Sequence, residues 1–164
     1  QAQHALRVDG NEQIHCQVGN ANWRNLAYPQ PSEEMQARVS MPYCVAIMRG
    51  NGGLSGDDFT PSDVAAQADS HRLSRINMTA WSQQQEAENA NLPHTVTITL
   101  RDGSTLSHSR WQARGTREEP FSIAERQAKF MDCCQGVDNA AGIYQQLLAL
   151  ETTANIDFLR RLMM

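Results

Sequence analysis

Three stretches of the chain alternate between apolar and polar residues, which is the period of a half-buried β-strand. They are residues 12–18, 75–81 and 95–100. The apolar positions are Ile14, Cys16 and Val18 in the first stretch, Ile76, Met78 and Ala80 in the second, and Val96, Ile98 and Leu100 in the third. In the third stretch the polar positions are threonines, so strand propensity and pattern agree there.

A tight-turn signal, Asp102-Gly103, follows the third stretch. We expect both residues to adopt positive φ and residues 104–111 to return as a mostly polar strand. With the two earlier strands, this hairpin predicts a small, mostly antiparallel sheet of about four strands.

The most apolar segment of the first half follows Ser40. Ser40 can cap a helix, and Pro42 is tolerated in a first turn, where backbone N–H groups have no helical partner. Residues 43–48 are nearly all apolar, which predicts a short helix buried on most sides. We expect Gly50 to supply its left-handed exit.

Helix-start signals recur through the rest of the chain. They are a cap, a proline and an acid in residues 60–63, a capping box from Ser122, and caps at Asp138 and Asn155. Three consecutive helices therefore end the chain after the sheet, which predicts the α+β class.

Two segments are interpreted as connections. Residues 19–31 contain Trp23, Leu26 and Tyr28, so we expect this segment to lie against the core or against a partner. Residues 82–91 are polar, and we expect an exposed connection in which a solvated helical turn remains possible.

The length of 164 residues allows one domain with a substantial core. We expect a poorly determined N-terminal segment, residues 1–11, followed by a single α+β domain over residues 12–164. Because the first residue is Gln1, we expect a processed product or an excised fragment of a longer protein.

The formal net charge is −4 and the basic residues are scattered, which argues against nucleic-acid binding. The longest apolar run is far shorter than the roughly 18 residues of a membrane span, so we expect no membrane association. The four cysteines form no CxxC pair and the five histidines have no zinc-ligand spacing. We therefore expect ordinary reduced, buried thiols, no metal, and a cytoplasmic protein.

Arg38, Ser40 and Tyr43 are the candidate site residues. They cluster at a predicted helix N-terminus, which favours anions such as a carboxylate. The alternative is structural: Ser40 caps the helix, Tyr43 packs with its hydroxyl satisfied, and Arg38 pairs with Glu34 one turn earlier. Glycine-rich phosphate loops before a helix and GxSxG nucleophile motifs are absent from the sequence.

Residues 37–43, ARVSMPY, followed by an apolar helix, resemble the "A-x-x-S-x-x-Y" entry to the second domain of the MmgE/PrpD family. The similarity continues through the hairpin with Asp102-Gly103, and then through Gly115, residues 120–122 and Lys129-Phe130. It covers roughly residues 14–162. The family includes methylcitrate dehydratase, cis-aconitate decarboxylase and iminodisuccinate epimerase.

The resemblance implies that this chain is only the C-terminal, lid-like domain of a lyase or isomerase acting on small di- or tricarboxylic acids, without metal or organic cofactor. Most catalytic residues would come from an N-terminal helical domain absent from this chain, so we expect the isolated chain to be inactive. The matching entry helix would contribute Tyr43 as the catalytic residue and Arg38 and Ser40 as substrate-binding residues. Family members are commonly homodimers, so we expect a dimer.

One position departs from the decarboxylase branch, which places a histidine before the motif serine where this chain has Val39. An aliphatic side chain can neither transfer a proton nor hold a carboxylate, which argues against itaconate-type decarboxylation and leaves dehydration and epimerisation open. The alternative to an enzyme domain is a stand-alone, non-catalytic binding or interaction module with the same fold. A sensor of citrate-like acids is a third, weaker hypothesis.

Overall fold

The computed structural model describes residues 12–68, 71–89 and 91–162. The N-terminal segment expected at residues 1–11 lies outside the described residues.

Contacts along the chain divide it into two compact units, Gln1–Ala113 and Arg114–Met164. The single domain expected over residues 12–164 stays a prediction. The strands and α-helices described in the first unit are β1 (Gln13–Val18), α1 (Asn20–Asn25), α2 (Glu34–Arg38), α3 (Met41–Asn51), α4 (Pro61–Ala68), β2 (Ile76–Ala80), α5 (Gln83–Glu88), β3 (His94–Thr99) and β4 (Thr105–Arg110). Two short 3₁₀ helices, Asp57–Phe59 and Leu73–Arg75, accompany them.

The four strands form one sheet in the order β2-β1-β3-β4. β1 is parallel to β2 and antiparallel to β3, and β3 is antiparallel to β4. The α+β class and the mostly antiparallel sheet predicted from the sequence are therefore confirmed. The parallel pair needs a long crossover, and α1 to α4 supply it.

One face of the sheet is apolar and forms the core of the first unit. Ile76, Ile14 and Ile98 lie side by side across β2, β1 and β3, and all three are buried. Ala46 of α3 packs on this row, and Met41 of the same helix adjoins it. The alternation of the three apolar stretches therefore indicated the correct inner face.

The other face of the sheet is polar. Its cross-strand pairs join hydroxyl groups, with Thr95 contacting Ser109 at 2.8 Å and Thr97 contacting Ser107 at 3.1 Å. Side chains of this kind stay solvated or bond to one another, so this face needs no covering layer.

The hairpin between β3 and β4 differs from the prediction in its turn. Leu100 N–H donates to Ser104 C=O at 2.8 Å, and Gly103 N–H donates to Leu100 C=O at 3.1 Å. This is a three-residue loop with a bulge, in which Gly103 has a φ of 83°. The expectation that Asp102 also has positive φ was wrong, because its carboxylate accepts from Ser104 and stabilises an ordinary turn.

The predicted cap of α3 is confirmed, but its end lies beyond the predicted residue. Gly50 is within the helix, and Gly52, with a φ of 74°, is the left-handed residue that ends it. Contacts hold the additional turn in place, since Arg49 pairs with Glu12 and Asn51 donates to the Asp58 carboxylate at 2.9 Å.

Both segments interpreted as connections contain a short helix. α1 lies within residues 19–31, and α5, which begins with a capping box between Ser82 and Gln85, lies within residues 82–91. α1 was missed because its first N–H group is capped by Glu86, a residue distant in sequence.

The second unit contains α6 (Ile123–Cys133), α7 (Ala140–Leu148) and two 3₁₀ helices, Leu150–Thr152 and Asp157–Leu162. The capping box at Ser122 is confirmed. The cap predicted at Asp138 was wrong, because the turn at Gly136 places Asn139 at the start of α7, with a φ of 58°. Asparagine adopts this left-handed conformation more readily than most residues.

Within the described residues, no helix is long and apolar enough to cross a membrane. All four cysteines are free thiols. The expectation of buried thiols holds for Cys16, but Cys133 is exposed because it lies at the solvated end of α6.

Candidate functional site

Ser40 joins the start of α3 to the segment after α1. Its hydroxyl oxygen accepts from Tyr43 N–H at 3.2 Å, and its O–H donates to Tyr28 C=O at 2.5 Å. The side chain is fully buried, and a backbone bridge pairs Ser40 with Ala27. The hydroxyl proton of Ser40 is therefore already engaged within the protein.

Tyr43 lies in the first turn of α3 and is fully buried. Its hydroxyl donates to Asp58 C=O at 2.5 Å, and its ring lies 5.7 Å from that of Phe59. Burial, followed by the nearby carboxylates of Asp63 and Asp58, raises the pKa of Tyr43 above its usual value. The O–H of Tyr43 is therefore already engaged by the Asp58 carbonyl, and burial disfavours the phenolate that could act as a base.

Arg38 ends α2 and remains about half exposed. Its Nη2 and Nε donate to Glu34 Oε1 at 2.7 and 3.1 Å. The guanidinium also lies over the Phe59 ring, 5.1 Å from the centroid. An exposed i, i+4 pair is weak, so Arg38 can exchange Glu34 for a carboxylate ligand at little cost.

The three candidates do not converge on one point. Arg38 and Tyr43 flank the Phe59 ring, whereas the hydroxyl of Ser40 is directed to Tyr28 in a different segment. The contacts expected from the structural alternative are all present: the cap, the satisfied tyrosine and the Glu34 pair. The catalytic and substrate-binding roles stay predictions.

A cavity of about 410 Å³ adjoins the start of α3 in the first unit. It lies between α1, the segment after it, Pro42 and β2. Its lining residues are Trp23, Arg24, Leu26, Ala27, Pro29, Pro42, Ile76, Asn77 and Met78. Arg24 is the charged residue of this mostly apolar lining, and a volume of this size suits a small organic ligand.

Sequence reasoning missed Arg24 because residues 19–31 were interpreted as a connection. A helix there would have placed Trp23 and Arg24 in one turn, but the segment has no local N-cap signal for a helix. The cap comes from Glu86, whose carboxylate accepts from Asn20 N–H at 2.7 Å and from Asn20 Nδ2 at 2.8 Å. These bonds lower the pKa of Glu86, and Asn20 also donates to Trp81 C=O at 2.8 Å.

Metal-binding groups are dispersed in the described residues. No three His, Cys, Asp or Glu side chains there could together hold a metal ion. His15 contacts the Thr79 hydroxyl at 2.8 Å, and His94 contacts the Asn22 amide at 3.4 Å.

Comparison with protein families gives a match to the MmgE/PrpD C-terminal domain over residues 1–150. This chain belongs to the MmgE/PrpD family. The match covers nearly the whole chain and includes the segment from Ala37 to Tyr43 that suggested the family. A search of curated proteins returned no match.

In this MmgE/PrpD C-terminal domain, further motif residues have structural contacts in the second unit. Gly115 has a φ of 91°, and a Cβ added there would lie 2.5 Å from the Phe121 ring. Arg114 lies over the same ring, 5.9 Å from its centroid, and pairs with Glu125. The glycine and the residues around Pro120 therefore form one packed turn before α6.

Proposed function

We propose that this chain is the C-terminal domain of a cofactor-independent lyase or isomerase, similar to methylcitrate dehydratase, that acts on small di- or tricarboxylic acids. The observation that carries this proposal is the family match over residues 1–150. A helical domain outside this chain completes the active site, and the isolated chain does not turn over substrate.

Removing a proton next to a carboxylate needs a base, an acid and cations that hold the acid groups. The start of α3 offers a cation, because the exposed guanidinium of Arg38 is held only by a weak pair. Tyr43, as the acid, would first have to release its O–H from the Asp58 carbonyl. Arg24 offers a second cation in the neighbouring cavity.

The carboxylates near Tyr43 in the described residues are already engaged, since Asp58 accepts from Asn51 and Ser55 and Asp63 accepts from Thr60. Burial disfavours the phenolate of Tyr43, and the residue before Ser40 is Val39 rather than a histidine. The carboxylate of Glu34 is paired with Arg38. The proposal therefore assigns the base to the helical domain and favours dehydration or epimerisation over decarboxylation.

Co-expression with a helical MmgE/PrpD domain, followed by a screen of hydroxy-di- and tricarboxylic acids, tests the proposal. We expect dehydration or epimerisation of at least one acid and no decarboxylation of cis-aconitate. Ligand-induced thermal stabilisation without turnover would instead support the stand-alone binding module.

In the same enzyme, Arg38→Gln tests the substrate-binding role. Losing a charge-assisted hydrogen bond should raise KM about tenfold or more while the fold is kept. Arg101→Gln, in the exposed turn between β3 and β4, removes the same charge away from α3 and should leave KM unchanged. Equal effects of the two variants would remove Arg38 from the site.

A further inference from the structure

The cavity between α1 and β2 has a wall that is anchored at both ends. At one end the Glu86 carboxylate holds the start of α1, accepting from Asn20 N–H at 2.7 Å and from Asn20 Nδ2 at 2.8 Å. At the other end a backbone bridge joins Ala27 to Ser40, and the Ser40 hydroxyl donates to Tyr28 C=O. Because other elements hold both ends, α1 does not collapse onto β2, and the cavity is preformed, as ligand sites usually are.

Most of the cavity lining is hydrocarbon. Its apolar side chains come from α1, the segment after α1, and β2, and they include Trp23, Leu26, Pro29, Ile76 and Met78. The large Trp23 side chain is 46 % exposed. A ligand that covers this surface with its own hydrocarbon removes apolar area from water, which is favourable. The lining therefore favours a ligand with an apolar body.

Arg24 is the charged side chain at this cavity. Among the described residues, its guanidinium has no hydrogen-bonded partner. The carboxylate of Glu86 is near Arg24, but both of its oxygens accept from Asn20. A guanidinium with free donors matches the two oxygens of a carboxylate, which it can bind with two parallel hydrogen bonds. The charge of the lining therefore favours a ligand with one carboxylate.

We propose that this cavity binds a small monocarboxylate with a hydrocarbon body, with its carboxylate on Arg24 and its hydrocarbon against Trp23 and β2. Hydroxy-di- and tricarboxylic acids fit this lining less well, because their additional charges would lose water to an apolar surface. The inference does not rest on the proposed function, in which Arg24 would hold an acid group of the substrate. It assigns to the domain a ligand site that works without turnover.

Titration of this chain with straight-chain carboxylates, from butanoate to octanoate, tests the site, and tryptophan fluorescence gives the readout because Trp23 lines the cavity. We expect saturable binding, with a Kd that falls about three- to fourfold for each added methylene until the cavity is filled. Hexanamide keeps the hydrocarbon of hexanoate but lacks its charge, so it should bind at least about tenfold more weakly. Citrate should also bind more weakly than hexanoate.

Two variants locate the ligand, and circular dichroism checks that each is folded. Arg24→Gln should raise the Kd of hexanoate about tenfold or more, whereas Arg101→Gln removes the same charge from the exposed turn after β3 and should leave the Kd unchanged. Ala27→Leu keeps the backbone bridge to Ser40 but fills part of the cavity, so it should weaken hexanoate binding.

Three results would overturn the inference: no saturable binding of any of these carboxylates, equal affinities for hexanoate and for hexanamide or citrate, or equal effects of Arg24→Gln and Arg101→Gln. Hexanoate binding that Ala27→Leu leaves unchanged would place the ligand outside the cavity and overturn it as well. None of these results bears on the proposed function, which is tested by turnover with the helical domain.

Discussion

Replacing Ser40 with alanine separates the structural role of the motif serine from a role in substrate binding. The hydroxyl makes two hydrogen bonds, one from Tyr43 N–H and one to Tyr28 C=O, and it is fully buried. Alanine removes both bonds, so Tyr43 N–H and Tyr28 C=O each lose the Ser40 hydroxyl as a partner.

The magnitude follows from the two bonds. Loss of a helix cap typically costs about 1 kcal/mol. The part-buried Tyr28 carbonyl also loses its donor, which adds up to about 1 kcal/mol. We therefore expect Ser40→Ala to lower the free energy of unfolding by up to about 2 kcal/mol.

Urea unfolding followed by circular dichroism measures this loss, and Ser82→Ala is the matched control. Ser82 caps α5 in the same way, accepting from Gln85 N–H at 3.1 Å, but it is exposed and its loss removes the cap alone. We expect about 1 kcal/mol or less for the control. If Ser40→Ala lowers the free energy of unfolding no more than Ser82→Ala does, the structural role of Ser40 in joining Tyr43 to Tyr28 is refuted.

Three further predictions concern other contacts. Gly115→Ala forces a side chain into a left-handed φ and against the Phe121 ring, so it should destabilise the chain by about 2 kcal/mol or more in urea unfolding; a neutral effect would contradict the close approach of the ring to Gly115. The pKa of Glu86 is lowered by its bonds to the start of α1. The Glu86 carboxylate therefore stabilises the folded chain above pH 4.5, its unfolded pKa, and this stabilisation is lost as the pH falls through the lower folded pKa. Glu86→Gln should therefore flatten the acid side of the stability profile, and an unchanged profile would exclude this cap. Burial raises the pKa of Cys16 to about 11, so iodoacetamide at pH 8 should alkylate exposed Cys133 first, and equal rates would contradict the buried position.

Local signals in the sequence were enough for much of the fold. The cap at Ser40, the capping box at Ser122 and the alternation in residues 12–18 depend on neighbours within a few residues. Such features can be read from a single sequence because the interacting groups are fixed by chain geometry.

Features that depend on distant partners were not predicted. The parallel pairing of β1 with β2 joins residues far apart in the chain, as in Ile14 with Ile76. α1 depends on Glu86 in the same way, and with α1 the position of Arg24 beside the cavity was missed. Long-range contacts leave no periodic signal in the segments that make them.

The candidate site was predicted only as a group of residues in sequence. Arg38, Ser40 and Tyr43 do surround the start of α3, but side-chain direction separates them. A helix turn and the segments packed on it decide that direction, and the sequence pattern does not contain it.

The most direct test of the central claim compares dehydration of hydroxy-di- and tricarboxylic acids, methylcitrate among them, by this chain alone and by the chain co-expressed with a helical MmgE/PrpD domain. The absorbance of the unsaturated product gives the initial rate in both samples. Our account predicts no rate above the buffer control for the chain alone and a saturable rate for the pair. Saturable dehydration by the chain alone would contradict it.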